Sequence, residues 1–239
     1  MSSNFNHNID ILIFDADDTL WENNIYYVRA MDSLFDLAEN TDYSRSEVEE
    51  QFYQIEREMV SQLGYGSEVF VKILRKFFTE FQGFPISDTV IDRFEKIIIE
   101  FNSRRIKKPA IFPGVEKCLA VLKGKFNNYI LTKGNYQEQL QKINRSGLLQ
   151  YFDGYFIEPE KNLDTLRRII KKHKWDPERI CMVGNSPKSD INPALQLGLH
   201  AIFIPYSYTW KLDNEDVLTG YSKLYTIEYF ADLPRFLLA

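Results

Sequence analysis

Short apolar runs recur along the chain, at residues 11–14, 129–131, 155–157, 180–183 and 201–204. Each run has the length and the β-branched or aromatic content that is typical of a buried strand. Two stretches between the later runs have a helical pattern: residues 136–145 end before Gly147, and residues 163–172 follow Asn162 as an N-cap. Strands that alternate with helices predict a doubly wound parallel sheet, which is a Rossmann-like α/β core.

A different pattern fills residues 23–106, which contain none of these strand-like runs. The periodicity predicts four helices there, at residues 25–37, 45–62, 67–81 and 89–102, the second opened by a capping box of Ser44 and Glu47. We therefore predict a core domain of residues 1–22 and 107–239, with an inserted all-helical domain at residues 23–106. The alternative is that these helices pack on the sheet within a single domain.

Composition and charge narrow the class of protein. The chain has 239 residues, of which 44% are hydrophobic and 26% are charged, and this is the range of folded globular proteins. A net charge of −5 provides no broad basic surface, so we do not expect nucleic acid as a partner. The polar N-terminus and the absence of an apolar run of membrane-spanning length predict a cytoplasmic protein without a membrane partner.

The cysteines and histidines do not form a recognisable site. Cys118 and Cys181 lie in apolar patterns without a CxxC pair, which predicts buried free thiols. The three histidines, His7, His173 and His200, lie far apart without ligand spacing. We therefore expect these histidines to be surface or structural residues.

Two carboxylates follow the first predicted strand. Asp15 and Asp17 are two residues apart, and side chains at that spacing point the same way from a strand. Carboxylates held so closely repel each other unless a cation lies between them, and Mg²⁺ is the usual one. The alternative is that these aspartates lie in a surface turn, where aspartate is common. We expect Asp18 to be a turn residue.

The later strand exits supply complementary groups. Thr132 and Gly134 follow the second predicted strand and precede a helix, an arrangement that suits an anion. Lys161 follows the third strand and Asp190 follows the fourth. Sites in parallel sheets form beyond the carboxyl ends of the strands, so these groups together match what phosphoryl transfer requires.

Four segments in this order resemble the motifs of the haloacid dehalogenase (HAD) superfamily. FDADDT at residues 14–19 resembles motif I, LTKGN at 131–135 motif II, EKN at 160–162 motif III and GNSPKSD at 184–190 motif IV. The resemblance implies a phosphatase of the C1-capped type, in which the helical insert closes over the core. Such a cap admits small phosphorylated metabolites and excludes large substrates.

The resemblance also implies roles for individual residues. Asp15 would attack phosphorus and form an aspartyl-phosphate, while Asp17 would act as general acid and then as general base. Thr132 and Lys161 would hold phosphoryl oxygens and complete the catalytic set. The implied phosphate-binding residues are Ala16, Asp17, Thr132, Lys133 and Lys161. The implied Mg²⁺ ligands are Asp15, the main-chain carbonyl of Asp17, Asp190 and Asn185.

One position departs from the family pattern, because motif IV usually has an aspartate where this chain has Asn185. An amide oxygen can still approach magnesium, but the site loses one negative charge, so we expect weaker metal binding rather than loss of activity. The expected function is Mg²⁺-dependent hydrolysis of small phosphomonoesters by a monomer or a homodimer.

Other functions remain open at this point. A haloacid dehalogenase releases halide, which needs no proton, and Asp17 argues against that reaction. A phosphonate hydrolase would use a lysine of the cap, for which Lys72 and Lys76 are candidates, although both fit a solvated helix face better. A non-catalytic regulator that binds a phosphometabolite would not need the full set of catalytic residues. Aromatic residues such as Trp21 and Trp210 either border the site or pack beside it.

Overall fold

The computed structural model of the protein describes residues 8–38, 42–84, 87–105, 108–213 and 215–238. The chain divides into two compact units, Met1–Glu22 with Pro109–Ala239, and Asn23–Lys108. The predicted domain boundary at residues 106 and 107 lies outside the described residues, as does His7.

The first unit is built on a parallel sheet. In the described part of the chain its strands are β1 (Ile11–Phe14), β2 (Asn127–Lys133), β3 (Gly154–Glu158), β4 (Ile180–Gly184), β5 (His200–Phe203) and β6 (Leu224–Thr226). Their order is β3-β2-β1-β4-β5-β6, and every neighbouring pair is parallel. The predicted doubly wound α/β fold is therefore confirmed.

The central strand is apolar along its whole length because both of its faces are buried. Leu12 and Phe14 belong to one hydrophobic cluster, whereas Ile11 and Ile13 belong to another. Successive side chains of a strand point to opposite faces, so the two clusters cover the two sides of the sheet. In register, Phe14 lies opposite Ile130 on β2 and Val183 on β4, and the three strands end at one edge.

The described helices of this unit are α5 (Val115–Leu122), α6 (Tyr136–Ser146), α7 (Leu163–His173), α8 (Asn192–Gln196) and α9 (Leu233–Leu237), and the first four precede or connect strands. The predicted signals hold: Gly147 ends α6 with φ +78°, and the Asn162 side chain accepts a hydrogen bond from the Thr165 N–H at 3.0 Å. The strand β6 and the helices α5, α8 and α9 were not predicted. β6 has only three residues, which are partly exposed, so it carries no strand pattern.

The second unit is helical over its described residues, with α1 (Asn24–Phe35), α2 (Arg45–Leu63), α3 (Ser67–Glu80) and α4 (Asp88–Arg105). Its core is rich in phenylalanine; Phe52 and Phe77 are fully buried and meet edge to face with centroids 5.4 Å apart. The predicted capping box of Ser44 and Glu47 is present at the start of α2. Among the described helices none is long and apolar enough to cross a membrane.

The cysteines and two of the histidines have structural surroundings. Cys118 and Cys181 are buried free thiols, as predicted. His173 packs against Trp175 with ring centroids 4.8 Å apart, and His200 is buried on β5 beside Tyr225.

Candidate active site

The carboxyl edge of the sheet collects the predicted catalytic side chains from separate strand exits. Asp15 follows β1, and its N–H donates to the Val183 carbonyl at 2.9 Å, which extends the β1–β4 pairing by one residue. Thr132 is the penultimate residue of β2 and is buried. Lys161 precedes α7, and Asp190 lies in a single π-helical turn, Pro187–Ile191, after β4. The predicted convergence of these four residues holds in the structure for Asp15, Lys161 and Asp190, which are in contact.

Lys161 bridges the two buried carboxylates. Its ammonium forms an ion pair with Asp15 and lies 2.6 Å from Asp190 Oδ1, and the three side chains are 3%, 8% and 0% exposed. Burial and then the neighbouring charge of Asp190 raise the pKa of Asp15 to about 7, although Lys161 opposes this. Burial alone would lower the pKa of Lys161, but the charges of Asp15 and Asp190 outweigh it and raise that pKa. The site therefore has one cation for two carboxylates.

Thr19 connects motif I to motif IV. Its hydroxyl lies 2.7 Å from Asp15 Oδ2 and 3.2 Å from Asn185 Oδ1, and both oxygens are acceptors for it. Thr19 was part of the motif but was not in the predicted set of site residues. The hydroxyl orients the carboxylate whose other oxygen faces Lys161.

The oxygen donors at this edge fit a hard divalent cation. One Asp190 oxygen accepts the Ser186 N–H at 2.9 Å, while Oδ1 is buried near the lysine without the geometry of a hydrogen bond. With both carboxylates ionised, Asp15, Asp190 and Lys161 leave one negative charge uncompensated, which a cation would neutralise. Among the described residues no group of three or more His, Cys, Asp or Glu side chains forms a metal site. Any magnesium ion here would therefore depend on the neutral amide of Asn185 as well, and the predicted ligand set stays a prediction.

Asp17 is held by donors from two elements. The indole N–H of Trp21 donates to Asp17 Oδ1 at 2.7 Å, while Gln139 Nε2 and Lys142 Nζ lie 2.9 Å and 2.5 Å from Oδ2. Burial alone would raise the pKa of Asp17, but the Lys142 charge and these hydrogen bonds outweigh it and lower that pKa. The Asp17 carboxylate is therefore stabilised in its ionised form.

The turn after Asp15 explains the local conformation of motif I. The Ala16 carbonyl accepts the Leu20 N–H at 2.8 Å, and the Asp18 N–H donates to the Trp21 carbonyl at 2.8 Å. Asp18 has φ +67°, in the left-handed region that aspartate tolerates, so it is a turn residue. Trp21 is fully buried, so of the two alternatives it packs beside the site and does not border an open entrance.

The Lys133 side chain is paired with a carboxylate of the core unit. Its ammonium lies 2.7 Å and 2.8 Å from the two carboxylate oxygens of Asp213 and 3.0 Å from Ser189 Oγ. The ammonium is therefore engaged by protein groups, and the predicted contact of Lys133 with the substrate phosphate stays a prediction. The side chain is part of the contact between three loops of the core unit.

Sequence reasoning missed three side chains around the site. Gln139 and Lys142 are three residues apart on α6, so they share a helix face, but nothing local connects them to Asp17. Asp213 ends a short 3₁₀ turn, Lys211–Asp213, in an irregular segment. A polar pair on one face of the helix that follows motif II was the available signal for Gln139 and Lys142, and Asp213 had none.

A cavity of about 340 Å³ lies at the opposite edge of the sheet, where Asn127 begins β2 and Asp153 precedes β3. Asp153 accepts the Asn128 N–H at 2.7 Å, and Lys123 lies over the Tyr151 ring at 6.0 Å. These groups have structural partners, and none belongs to the predicted catalytic set. The carboxyl edge is therefore the candidate active site.

Comparison with known proteins indicates the family of the chain. A family model described as a haloacid dehalogenase-like hydrolase matches residues 9–198. Glyceraldehyde 3-phosphate phosphatase of Methanothermobacter thermautotrophicus is 24% identical over 204 residues, which are 81% of this chain and 84% of that protein. In fold, a haloacid dehalogenase-like hydrolase from Xanthomonas campestris matches with a TM-score of 0.75 and 22% identity, covering 96% of this chain and 94% of that one. The magnesium-bound HAD-hydrolase YfnB of Bacillus subtilis matches with a TM-score of 0.62 and 18% identity, covering 97% and 100% of the two chains.

Proposed function

The chain belongs to the haloacid dehalogenase-like hydrolase family, and on that premise we propose that it is a Mg²⁺-dependent phosphatase of small phosphomonoesters. The observation that carries the proposal is the pair of aspartates on one strand exit: Asp15 in contact with Lys161, and Asp17 two residues further on, held by its own set of donors. A nucleophile and a separate acid or base are what phosphate ester hydrolysis through a covalent intermediate requires.

In the first step, an ionised Asp15 oxygen forms a bond to phosphorus while the bond between phosphorus and the ester oxygen breaks. Asp17 gives a proton to the departing alkoxide, so the products are the alcohol and an aspartyl-phosphate. Because Lys142 favours the ionised form of Asp17, it opposes the protonation of Asp17 that this step requires. A lowered pKa makes protonated Asp17 a stronger acid and ionised Asp17 a weaker base, and it holds the side chain in the ionised form that the second step requires.

In the second step, Asp17 takes a proton from a water molecule whose oxygen attacks phosphorus. The bond between phosphorus and Asp15 breaks, which releases inorganic phosphate and regenerates the carboxylate. Lys161 stabilises the negative charge of Asp15 in both steps, and Thr132 offers a hydroxyl to the phosphoryl oxygens.

The metal ion is part of the proposal. Asp15, the main-chain carbonyl of Asp17, Asp190 and Asn185 would hold Mg²⁺, which when bound supplies positive charge to the phosphoryl oxygens. Support comes from the oxygen donors and the uncompensated negative charge at this edge. The magnesium reported for the Bacillus subtilis relative in fold is consistent with this choice.

The proposed substrates are small phosphorylated metabolites. The relative named glyceraldehyde 3-phosphate phosphatase supports phosphate esters of about this size as the substrates. We further propose that the helical insert of residues 23–106 is the C1-type cap of the family, which is the reason to expect small substrates rather than phosphoproteins.

Phosphate release from a panel of esters tests the proposal. The panel contains p-nitrophenyl phosphate, glyceraldehyde 3-phosphate and other small phosphomonoesters, each with Mg²⁺ or with EDTA. The decisive variant is Asp15→Asn. The matched control is Asp10→Asn, which changes an aspartate at the other end of the same strand, where it forms an exposed ion pair with Arg179.

We expect turnover that requires Mg²⁺, is abolished by Asp15→Asn and is unchanged in Asp10→Asn. 2-Chloropropionate and a phosphonate are included in the same assay, and halide release or C–P cleavage without ester hydrolysis would overturn the proposal in favour of another reaction of the family. A folded protein that binds phosphate esters without hydrolysing any of them would identify a regulator instead.

A further inference from the structure

We infer that Asp213 is a positioning residue that holds the carboxyl end of β2 and the loop after β4 in a fixed relation. These two segments carry Thr132 and Asp190, so the inference rests on the proposed function of this edge. Asp213 lies 23 positions beyond Asp190 in a segment without regular structure, and it belongs to none of the four motifs.

The contact with the carboxyl end of β2 is an ion pair in which the Lys133 ammonium approaches both carboxylate oxygens of Asp213. Lys133 Nζ lies 2.7 Å from Asp213 Oδ1 and 2.8 Å from Oδ2, and the two side chains are only 16% and 11% exposed. The Trp210 ring lies 5.6 Å from the same ammonium and covers it. A buried ion pair of this kind is costly to break, because the remaining charge loses its partner inside the protein.

The contact with the loop after β4 is made by hydroxyl groups. Asp213 Oδ2 accepts hydrogen bonds from Ser189 Oγ at 3.1 Å and Ser186 Oγ at 3.4 Å. Ser189 immediately precedes Asp190, and the Ser186 N–H donates to the Asp190 carboxylate at 2.9 Å. The carboxylate of Asp213 therefore holds Ser189, the neighbour of Asp190 in the chain, and Ser186, whose N–H donates to the Asp190 carboxylate.

The same carboxylate also reaches the neighbourhood of Asp17 through Lys133. The Lys133 carbonyl accepts the Gln139 amide at 3.1 Å, and that amide also donates to Asp17 at 2.9 Å. Fixing the Lys133 side chain therefore restrains the backbone next to Thr132 and the partner of Asp17. Removing a residue that orients a metal ligand commonly lowers the affinity for the metal.

Two roles of the Lys133 ammonium, binding the substrate phosphate and positioning the loops, predict different effects of substitution. If the ammonium bound the substrate phosphate, Lys133→Met would raise KM for the ester, and Asp213→Asn would lower it by freeing the ammonium. If the pair positions the loops, both substitutions weaken Mg²⁺ binding, and the double variant is no worse than the more damaged single variant.

Isothermal titration calorimetry with MgCl₂ on the full chain measures this directly. For Asp213→Asn and for Lys133→Met we expect Mg²⁺ affinity to fall about tenfold, as is common for residues that orient metal ligands. The matched control is Glu178→Gln, which removes an exposed ion pair with Lys223. Wild-type affinity in Asp213→Asn, or additive losses in the double variant, would overturn the inference.

Hydrogen–deuterium exchange of the metal-free protein keeps the inference testable if the proposed function is wrong. Asp213→Asn is expected to speed exchange in residues 131–135 and 184–191 together, whereas Glu178→Gln leaves both segments unchanged. Faster exchange confined to residues 205–213 would contradict the inference. A wild-type chain that neither binds Mg²⁺ nor releases phosphate would overturn only the proposed function.

Discussion

A β-carbon on Gly184 would lie 2.3 Å from Asp190 Oδ2 and 2.5 Å from its carboxyl carbon. Gly184 ends β4, and the π-helical turn brings Asp190 back over it, so only glycine leaves room for the carboxylate. The initial glycine of motif IV therefore has a steric role: it allows the buried Asp190 to reach Lys161.

Gly184→Ala is expected to displace Asp190, because the carboxylate is buried and cannot swing aside freely. We expect the free energy of unfolding to fall by about 1–3 kcal/mol, as for other overpacked interiors, and Mg²⁺ binding to weaken. Urea denaturation and calorimetry measure the two effects. Gly154→Ala in β3 is the control, since its β-carbon would meet only Tyr129 ring atoms at 3.3 Å. Equal losses in the two variants would contradict the steric explanation.

Asn185→Asp is expected to tighten Mg²⁺ binding. The amide is buried and accepts a hydrogen bond from Thr19 at 3.2 Å, so an aspartate would add a third carboxylate beside Asp15 and Asp190. We expect a gain on the order of tenfold in affinity, about 1.4 kcal/mol, together with a less stable metal-free protein because like charges repel. Asn185→Ala, which removes the oxygen, should weaken binding. An unchanged Mg²⁺ requirement in Asn185→Asp would show that this position is not a ligand.

Asp17→Asn is expected to depend on the leaving group. General acid catalysis commonly contributes about 10²–10⁴-fold, so hydrolysis of an alkyl phosphate should fall by that factor. p-Nitrophenolate leaves without a proton, so the first step with p-nitrophenyl phosphate should survive. Without the base the aspartyl-phosphate should then accumulate, which a burst of nitrophenol and trapping with hydroxylamine would detect. Equal losses in the rate of the first step with both esters would argue against Asp17 as the acid.

Lys142→Met is expected to raise the pKa of Asp17. Burial raises that pKa, and it is the Lys142 charge with the hydrogen bonds from Gln139 and Trp21 that lowers it below 3.8. As a base Asp17 must be ionised, so a higher pKa moves the acid limb of the kcat profile to higher pH. Lys142→Arg keeps the charge and should retain the wild-type limb. If the acid limb does not move in Lys142→Met, that limb reports the titration of a group other than Asp17.

Both cysteines are expected to resist labelling by a disulfide reagent in the native protein. Burial raises the pKa of Cys118 and of Cys181, so the reactive thiolate is scarce at pH 8, and neither thiol is accessible. We expect labelling on the order of 100-fold slower than in guanidinium chloride, because the fold must open first. Rapid labelling of one thiol in the folded chain would contradict the burial of that cysteine.

Local patterns in the sequence determined the fold class and most of the candidate catalytic set. Apolar runs of strand length predict where strands lie, and parallel strands end at one edge whatever the details of packing. For that reason the sequence predicts that Asp15, Lys161 and Asp190 lie close together, although they follow strands that are far apart in the chain. The helix caps at Asn162 and Gly147 followed from equally local chemistry.

Only the tertiary structure decided which side chains surround those residues. Lys142 and Gln139 meet Asp17 across 125 and 122 positions, and Lys133 meets Asp213 across 80. No periodicity encodes such pairs, because they depend on helix placement, side-chain rotamers and the course of an irregular loop. The chain sequence thus determined that the charges converge at this edge. Packing decided how each charge is compensated, and therefore that Asp17 is held as an anion and that Lys133 faces Asp213.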